Sequence, residues 1–406
     1  MTYSHGGEIY DKNIRLDFSV SLNPLGCPES VKKALGECCP ELNLYPDINY
    51  NDLRRALALY ENTRYHKSSC ISKASQHTEI ENANEVRCME ALQESYEDTI
   101  IPLSGASEGI TAVAGMFSGK KVLLRLPIFG GYERAFANAK CDIYYSYPNT
   151  LILDDALDKI ADTSSIEKFS VDDYHRGNEL LIKQIEEIKP DLMVIGSPSN
   201  PLGQLIDPGD LKSIVNACKE AGTTLLCDEA FMGFVQGRKE YSLIRFFLEY
   251  SRLIIIRSFT KLYSCPGLRL GYAVTSDPLL AESIREHLPE WNISLPAEKA
   301  MLALCEEGDF ADKIAEYVAV ERKRMLKEMS DMQKSGESIF PFVSDANYIF
   351  FKSKEYIYEK LLENGILIRN CDNYRGINGK GFYRIGLKTR EENDELLDEM
   401  KKLMRS

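Results

Sequence analysis

The stretch RLIIIRSFTKLYSCPGLRLGY, residues 252–272, joins an apolar run to a lysine, a Pro-Gly turn and an arginine. Continuous apolar runs of this kind are typical of strands that are buried on both faces of a sheet. Three more such runs are KVLLRLP (121–127), DLMVIGSP (191–198) and TTLLCDEA (223–230). Helical patterns lie between them, so the sequence predicts an α/β fold with a mostly parallel sheet covered by helices.

Two of the intervening helices can be recognised from their residues. In DPGDLKSIVNACKEAG, Asp207 is the expected N-cap and Gly222 fits the C-terminal cap. In NDLRRALALYE, Leu53, Leu57 and Tyr60 recur at helical spacing and predict one buried face.

Composition divides the chain into two predicted domains. Residues 40–276 hold the alternating strands and helices and are expected to form a large domain. From residue 277 onward long charged helices dominate, followed by the strand-like pair NYIFFK and GFYRIGL. Residues 1–39 and 277–406 are expected to form a smaller α+β domain. Two polar segments, about 64–94 and 161–178, are predicted to be surface insertions.

Charge and composition exclude several classes of function. A formal net charge of -13 argues against non-specific nucleic-acid binding. The eleven cysteines form no C-x-x-C pair and the five histidines are scattered, so we expect no structural metal. No apolar stretch approaches the ~20 residues that span a bilayer. The thiols are typical of a reduced compartment and no signal peptide is recognisable, so we expect a cytoplasmic protein.

Chemically distinctive residues follow four of the predicted strands: Phe129, Asn200, Asp228 and Lys261. Because ligands bind beyond the carboxyl ends of the strands in open α/β sheets, these side chains are expected to share one crevice. A carboxylate beside the buried run is costly unless it meets a cation or several donors. Simpler interpretations remain open: Asp228 as a helix N-cap or structural ion pair, and Lys261 as a solvated surface group.

A lysine and an acid in this arrangement together fit pyridoxal phosphate. The amine of Lys261 would bind the cofactor aldehyde, and Asp228 would face the ring nitrogen and keep it protonated. Asn200 is placed to donate to the phenolic oxygen, and Phe129 to stack on the ring face.

The cofactor phosphate needs an anion site of its own. LSGASEGI, residues 103–110, opens into a predicted helix, and the backbone N–H groups of Ala106 and Ser107 would point at an anion. Ser258 and Arg269, on either side of the lysine, would complete the site with a hydroxyl and a forked charge. A plain capping turn is the alternative for residues 103–110.

The order of these motifs resembles that of fold-type-I pyridoxal-phosphate enzymes of the class I/II aminotransferase superfamily, over nearly the whole chain outside the two insertions. The motifs are LSGASEG, PIFGGYERA, SPSNPLGQ, DEAF, SFTKLYSCPGLRLGY and FYRIGL. The resemblance implies a large domain of the seven-stranded type and a covalent bond between Lys261 and the cofactor. The other cofactor residues that it implies are Ala106, Ser107, Phe129, Asn200, Asp228, Ser258 and Arg269.

The same resemblance implies a substrate site and a homodimer with shared active sites. Arg384 would bind the substrate carboxylate, and Asn23 lies in a segment assigned to the substrate. LYPDINYNDLRRAL is similar to the family segment whose tyrosine, here Tyr45, reaches the cofactor phosphate of the neighbouring subunit. Many relatives carry a tyrosine after Asp-Glu-Ala, whereas this chain has Phe231, so the phenolic oxygen has one donor fewer.

Within the superfamily the chain is most similar to two groups. HGGEIYDKNIRLDFSVSLNPLG and IRSFTKLYSCPGLRLGY favour the threonine-phosphate decarboxylases of cobalamin synthesis, and the histidinol-phosphate aminotransferases are the alternative. The segment LIRNCDNYRGINGKGFYRIGLKT is similar in both groups, and there Arg369 and Arg384 would bracket a substrate that carries both a carboxylate and a phosphate. His5 would add a donor to that phosphate, with a disordered terminus as the alternative. A ligand-sensing module without turnover is a remoter alternative, and no basic helix-turn-helix segment supports it.

Overall fold

The computed structural model describes residues 6–10, 12–65, 97–147, 177–377, 379 and 381–405. The segments predicted as insertions, 64–94 and 161–178, lie almost wholly outside these residues. Arg64 and Tyr65 are the last two residues of a helix, so regular structure runs past the predicted start of the first insertion. In the described part of the chain, no helix combines the length and the apolar character that crossing a membrane requires.

The elements that precede the main sheet include β1 (Leu16–Asp17), α1 (Glu29–Cys38) and α2 (Asn51–Tyr65). In α2, Leu53, Leu57 and Tyr60 are all buried, which confirms the predicted apolar face.

A seven-stranded sheet forms the centre of the molecule. Its strands are β2 (Ile100–Leu103), β3 (Lys121–Arg125), β4 (Asp142–Ser146), β5 (Leu192–Gly196), β6 (Thr224–Asp228), β7 (Leu253–Ser258) and β8 (Gly271–Thr275). Their order is β2-β8-β7-β6-β5-β3-β4. All neighbours pair in parallel except β8, which runs antiparallel to both β2 and β7. The predicted fold class, α/β with a mostly parallel sheet, is therefore confirmed.

The sheet has a separate apolar core on each face. In β6, Leu225 and Cys227 pack into one core while Leu226 packs into the other. This is the reason that the strands appear as continuous apolar runs rather than as an alternation of apolar and polar residues. The four runs recognised in the sequence became β3, β5, β6 and β7, as predicted.

Helices connect these strands: α3 (Ala106–Met116), α4 (Gly130–Asn138), α5 (Pro208–Ala221), α6 (Arg238–Tyr241) and α7 (Phe259–Leu262). The helix predicted from DPGDLKSIVNACKEAG is α5. The Asp207 side chain accepts a hydrogen bond from the backbone N–H of Gly209, and Gly222 has a left-handed φ of 70°. Both predicted caps are thus confirmed.

The rest of the chain builds a smaller sheet and its helices. The helices are α8 (Pro278–Arg285), α9 (Leu295–Cys305), α10 (Phe310–Lys334), α11 (Tyr358–Glu363) and α12 (Arg390–Arg405). The strands are β9 (Ile339–Pro341), β10 (Tyr348–Ser353), β11 (Ile366–Leu367), β12 (Arg369–Asn370) and β13 (Phe382–Gly386). β12-β13-β10-β9 form an antiparallel sheet, and β10 and β13 are the predicted pair NYIFFK and GFYRIGL.

The start of the chain reaches this smaller sheet region. β1 pairs in parallel with β11, and the backbone N–H of Gly386 donates to the carbonyl of Phe18 at 2.8 Å. A Cβ on Gly386 would lie 3.1 Å from the Cα of Ser21, so the N-terminal segment crosses β13 closely. The division into residues 40–276 against 1–39 plus 277–406 stays a prediction.

Candidate active site

The carboxyl ends of β5, β6 and β7 bring the predicted site residues to one edge of the sheet. Asp228 is the last residue of β6 and pairs with Gly196 at the end of β5. Ser258 is the last residue of β7, and Lys261 follows it within α7. Asn200 lies four residues beyond the end of β5. Parallel pairing therefore places these side chains at the same edge, where open α/β sheets bind ligands.

Lys261 lies in an environment that disfavours its charged form. Burial lowers the pKa of its amine to about 8, and the positive charges of Arg384 and Arg269 act in the same direction, while Asp228 opposes them. The amine lies 4.5 Å from the centre of the Phe231 ring. With a pKa of about 8, roughly a tenth of the amine is uncharged at pH 7, and the uncharged form is the one that acts as a nucleophile or general base.

Asp228 has both local and distant partners. One carboxylate oxygen accepts a hydrogen bond from the backbone N–H of Ala230 at 3.0 Å. Burial raises the pKa of Asp228, while the N–H of Ala230, the charge of Lys261 and the hydroxyl of the buried Tyr132 lower it. The carboxylate thus accepts a hydrogen bond within its own turn, as a capping residue does, and also interacts electrostatically with Lys261. A carboxylate at this position fits the anion that a pyridinium nitrogen requires.

A candidate anion site lies where α3 begins. Gly105 precedes the helix with φ 79°, and a Cβ there would be 2.9 Å from Nη2 of Arg269. A Cβ on Gly271 would be 3.1 Å from the backbone nitrogen of Ala106. The N-terminus of α3, which includes Ser107, therefore converges with Arg269, which itself has a left-handed φ of 57°.

These residues fit the phosphate of pyridoxal phosphate. The first turn of a helix leaves its N–H groups without partners inside the helix, and its dipole favours an anion. Arg269 adds a full positive charge, and Ser258 pairs with Gly271 at the neighbouring strand position, so its hydroxyl lies on the same side of the sheet edge. The positive φ at Gly105 and the close approach of backbone atoms at Gly271 explain why both positions are glycine.

Arg384 joins the smaller sheet to Asn200 at the edge of the main sheet. Its Nη1 donates to Oδ1 of Asn200 at 2.7 Å, and its Nη2 donates to the carbonyl of Ser19 at 3.0 Å. Its Nε is buried and has no hydrogen-bond partner among the described residues. A buried donor without a partner is costly, so this nitrogen is placed to receive an anionic ligand.

Arg369 lies directly opposite Arg384 in the pairing of β12 with β13, and each arginine is only 6–7% exposed. Nη2 of Arg369 donates to Oδ1 of Asn373 at 2.7 Å. Side chains that lie opposite each other in an antiparallel pair project from the same face, and like charges there destabilise the pair. Anions bound between the two guanidinium groups would relieve that repulsion.

The remaining predicted residues have different surroundings. Phe129 is half-buried at the N-terminus of α4, and its ring packs over Gly131. Tyr45 is 78% exposed and packs its ring against Trp291, with 4.7 Å between the ring centres. His5 lies outside the described residues.

Asn23 supports the site through its backbone. Its N–H donates to the carbonyl of Lys261 at 3.0 Å, whereas its side-chain amide is used within its own turn, by Leu25 and Gly26. Among the described residues, no group of three or more His, Cys, Asp and Glu side chains is arranged to hold a metal ion.

The sequence reasoning missed Tyr374, which the structure places inside the cluster. Its hydroxyl lies 3.2 Å from Oδ1 of Asn200, and its ring lies under Arg369, with 5.4 Å between the guanidinium carbon and the ring centre. It also missed Tyr132, which is buried beside Asp228. Their positions in the sequence could have indicated both residues. Tyr374 lies between Arg369 and Arg384 in the chain, and Tyr132 belongs to the motif PIFGGYERA.

The chain is similar to known proteins over nearly its whole length. The family model described as aminotransferase class I and II matches residues 13–400. A protein of Caldanaerobacter subterraneus, provisionally named threonine-phosphate decarboxylase, is 30% identical over 408 residues, covering 99% of this chain and 94% of the relative. The threonine-phosphate decarboxylase of Salmonella typhimurium is 26% identical over 414 residues, covering 99% and 96%.

A solved structure, the histidinol-phosphate aminotransferase of Clostridium acetobutylicum, superposes with a TM-score of 0.75 at 26% identity. The superposition covers 96% of this chain and 99% of that one. Since the family model spans most of the chain, family membership, cofactor and fold follow together. This chain belongs to the class I and II aminotransferase family and is a pyridoxal-phosphate-dependent enzyme with the fold of that family.

Proposed function

We propose that this enzyme removes carbon dioxide from an O-phosphorylated amino acid, either L-threonine O-3-phosphate or serine phosphate. The observation that carries the proposal is the buried pair Arg369 and Arg384, which lie opposite each other next to Asn200. A substrate with both a carboxylate and a phosphate engages both arginines at once. The full-length similarity to threonine-phosphate decarboxylases supports the same choice.

The second candidate is transamination of histidinol phosphate, which the similarity to the Clostridium acetobutylicum enzyme favours. Histidinol phosphate has a phosphate but no carboxylate. In a transaminase, histidinol phosphate would therefore supply only the phosphate. The carboxylate would come from the second substrate, which binds in the other half-reaction. The decarboxylase substrate needs both arginines in every turnover, and for this reason we rank it first.

Each residue of the site has a proposed role. Pyridoxal phosphate, when bound, supplies a protonated ring that accepts electrons from the substrate α-carbon. The Lys261 amine binds the cofactor aldehyde and later carries a proton to or from that carbon. Asp228 keeps the ring nitrogen protonated, and Asn200 donates to the phenolic oxygen. The phosphate is held by the N–H groups of Ala106 and Ser107 and by Ser258 and Arg269, and Phe129 stacks on the ring.

Arg384 binds the substrate carboxylate through its Nε, and Arg369 binds the substrate phosphate, with His5 as an additional donor. Arg384 would set the direction of the substrate carboxylate, and that direction would decide whether carbon dioxide or the α-proton is lost. In decarboxylation the carboxylate leaves as carbon dioxide, and the α-carbon takes a proton from Lys261 in its place. The product is the corresponding phosphorylated amine.

We further propose a cytoplasmic homodimer in which Tyr45 of each subunit reaches the cofactor phosphate of the other. Leu42, Leu44 and Ile48, which flank Tyr45, are each 48–59% exposed, and such a cluster of exposed apolar residues is typical of an interface. The cysteines in the described part of the chain are all free thiols, which agrees with a reduced compartment.

The test is to incubate the purified holoenzyme with threonine phosphate or serine phosphate in the absence of any keto acid and to measure carbon dioxide. Release at a steady rate, absent in Lys261→Ala, is the expected result. Conversion of histidinol phosphate that requires 2-oxoglutarate, without carbon dioxide release from either phosphorylated amino acid, would overturn the proposal in favour of transamination.

A further inference from the structure

Tyr374 occupies the space between the two arginines and the cofactor residues. It is 5% exposed and lies in the connection between β12 and β13. Its ring packs under the guanidinium of Arg369, and its hydroxyl reaches Oδ1 of Asn200 at 3.2 Å. One side chain therefore contacts a proposed substrate ligand with its ring and a proposed cofactor ligand with its hydroxyl.

The Asn200 side chain has its orientation set by two donors. Its Oδ1 accepts from the Tyr374 hydroxyl and from Nη1 of Arg384, which lies 2.7 Å away. A carbonyl oxygen accepts two hydrogen bonds, so both lone pairs are occupied. If the amide were rotated by 180°, its NH₂ group would face the Arg384 guanidinium, donor against donor. The NH₂ group is therefore directed away from Arg384.

Burial keeps the Tyr374 hydroxyl a donor. Burial raises the pKa of Tyr374, while the positive charges of Arg384 and Arg369 lower it, and the net shift is upward. The two arginines are the charged groups that face it. The hydroxyl is consequently protonated at neutral pH and donates to Asn200, which cannot donate through Oδ1.

The neighbouring aromatic residues Phe231 and Tyr348 do not donate a hydrogen bond to Asn200 as Tyr374 does. Phe231 has no hydroxyl and offers Lys261 only its ring, at 4.5 Å. Tyr348 packs edge-on against Phe231, but its hydroxyl donates to the carbonyl of Ser199 at 2.6 Å. The NH₂ group of Asn200 therefore carries more of the interaction with a phenolic oxygen than it would beside a tyrosine at position 231.

The position of Tyr374 is itself fixed by the next residue. Nε of Arg375 donates to Oε1 of Glu133 at 2.9 Å, and its guanidinium lies 4.6 Å from the centre of the Tyr145 ring. Glu133 belongs to α4 and Tyr145 to β4, so the connection that carries Tyr374 is anchored to the main sheet and its helices.

We propose that Tyr374 is a positioning residue that orients the Asn200 amide so that its NH₂ group is presented to the phenolic oxygen of the cofactor. The proposal rests on the assignment of Asn200 to the cofactor. It does not depend on whether the enzyme decarboxylates or transaminates, since both reactions use the same cofactor contacts.

The test is a pH titration of the visible absorbance of the holoenzyme without substrate, for wild type and Tyr374→Phe. A donor to an ionised oxygen favours the deprotonated chromophore, so weakening that donor moves the transition to higher pH. We expect an upward shift of roughly half to one pH unit, the size that corresponds to one ordinary hydrogen bond. An unchanged transition would overturn the proposal.

A double-variant cycle separates positioning from a direct effect. If Tyr374 acts through Asn200, Tyr374→Phe has no further effect on the transition in an Asn200→Ala background. A shift of equal size in both backgrounds would show that Tyr374 acts on the cofactor by another route and would overturn the proposal.

The matched control is Tyr250→Phe, which removes a different buried hydroxyl. That hydroxyl donates to the carbonyl of Thr223, at the opposite end of β6 from Asp228. The control is expected to leave the transition unchanged. A shift as large as that of Tyr374→Phe would mean that any loss of a buried hydroxyl loosens the site, and would overturn the positioning role.

Discussion

Arg257 and Glu61 form a two-point ion pair that is removed from solvent. Nη2 and Nε of Arg257 lie 2.6 and 3.2 Å from the two carboxylate oxygens of Glu61, and the side chains are 2% and 0% exposed. Glu229 engages the Nη1 of the same arginine. Arg257 directly precedes Ser258 at the end of β7, and Glu229 directly follows Asp228 at the end of β6. The cluster therefore links the ends of these two strands.

The cluster places two carboxylates against one guanidinium, and further donors compensate. The Tyr272 hydroxyl donates to Glu61 at 2.6 Å, and the backbone N–H of Leu243 donates to Glu229 at 2.7 Å. Burial lowers the pKa of Arg257, but the charges of Glu229 and Glu61 raise it by more. The guanidinium therefore stays charged, and its removal would leave two buried acids without a cation.

The first prediction follows from that burial. Arg257→Met removes the cation that two buried carboxylates share, so we expect a loss of about 3–5 kcal/mol in the free energy of unfolding. Urea denaturation of the apoenzyme, followed by circular dichroism, measures it. The exposed pair of Lys32 and Glu29, at 2.9 Å, is the control, and Lys32→Ala is expected to leave the free energy of unfolding almost unchanged. Equal effects of the two changes would contradict the structural importance of the cluster.

Lys261→Ala is predicted to abolish the visible absorbance of the covalently bound cofactor. Activity should fall by about 10²-fold to 10⁴-fold or more, because the variant loses both the covalent attachment and a general acid–base. Spectra and initial rates of the purified proteins measure both effects. Lys299→Ala, at a half-exposed lysine that pairs with Glu41 on the surface, should match wild type. A Lys261→Ala protein that keeps the visible band would remove Lys261 from the site.

The pKa of Lys261 can be tested without substrate. Burial and the nearby arginines lower it to about 8 from an ordinary 10.5. Between these two values the unfolded chain binds more protons than the folded apoenzyme, so the contribution of this group to stability rises with pH across that window. Competitive acetylation of the apoenzyme, read by peptide mass spectrometry, should give a midpoint near pH 8. Asp228→Asn should move the midpoint lower, since Asp228 favours the protonated amine; a midpoint above 10 would contradict the described environment.

The fold was predictable because its central strands are buried on both faces. Leu225, Leu226 and Cys227 had to be apolar in succession, and such a run is visible without any alignment. The acid and the lysine that follow two of these runs were visible for the same reason. Parallel strands then bring their ends together, so the strand-end residues Asp228 and Lys261 could be assigned to one crevice.

The contacts that orient those residues were not predictable. Tyr374 and Asn200 are separated by 174 residues, and Arg257 and Glu61 by 196. No local period links such positions. Tyr374 meets Asn200 where the β12–β13 connection reaches the strand ends, and Glu61 meets Arg257 because a side chain of α2 reaches β7. A tyrosine between two arginines also looks the same in the sequence whether it is buried or solvated.

Loss of the Arg384 side chain is predicted to weaken substrate binding far more than cofactor binding. Arg384→Ala removes charge-assisted hydrogen bonds worth about 1.5–3 kcal/mol each, so we expect KM to rise by roughly 10- to 150-fold while the cofactor stays bound. Arg384→Lys keeps the charge but loses the forked geometry, and should recover only part of the loss. Initial rates against substrate concentration, together with the visible spectrum, measure both effects. Arg252→Ala, at an exposed arginine before β7, is the control, and an unchanged KM in Arg384→Ala would exclude Arg384 from the substrate site.

The exposed ring of Tyr45 predicts that two subunits share each active site. Tyr45 is supported by Trp291, which holds a left-handed φ of 50°, and is 78% exposed to solvent on its own subunit. If it completes the partner's phosphate site, Lys261→Ala and Tyr45→Ala subunits should complement each other. A mixed dimer would contain one site with both residues intact and one site with neither.

Subunits of the two variants are to be unfolded and refolded together in equal amounts. Random pairing makes half of the dimers mixed, so about a quarter of the sites should be intact, and the activity should exceed the sum of the separate variants. Pairing Lys261→Ala with Asp228→Ala is the control. Lys261 and Asp228 of a given site come from one and the same subunit. Each mixed dimer therefore has one site without Lys261 and one site without Asp228, and both sites are damaged. If the refolded mixture of Lys261→Ala and Tyr45→Ala is no more active than the sum of the two separate variants, Tyr45 does not contribute to the site of the neighbouring subunit.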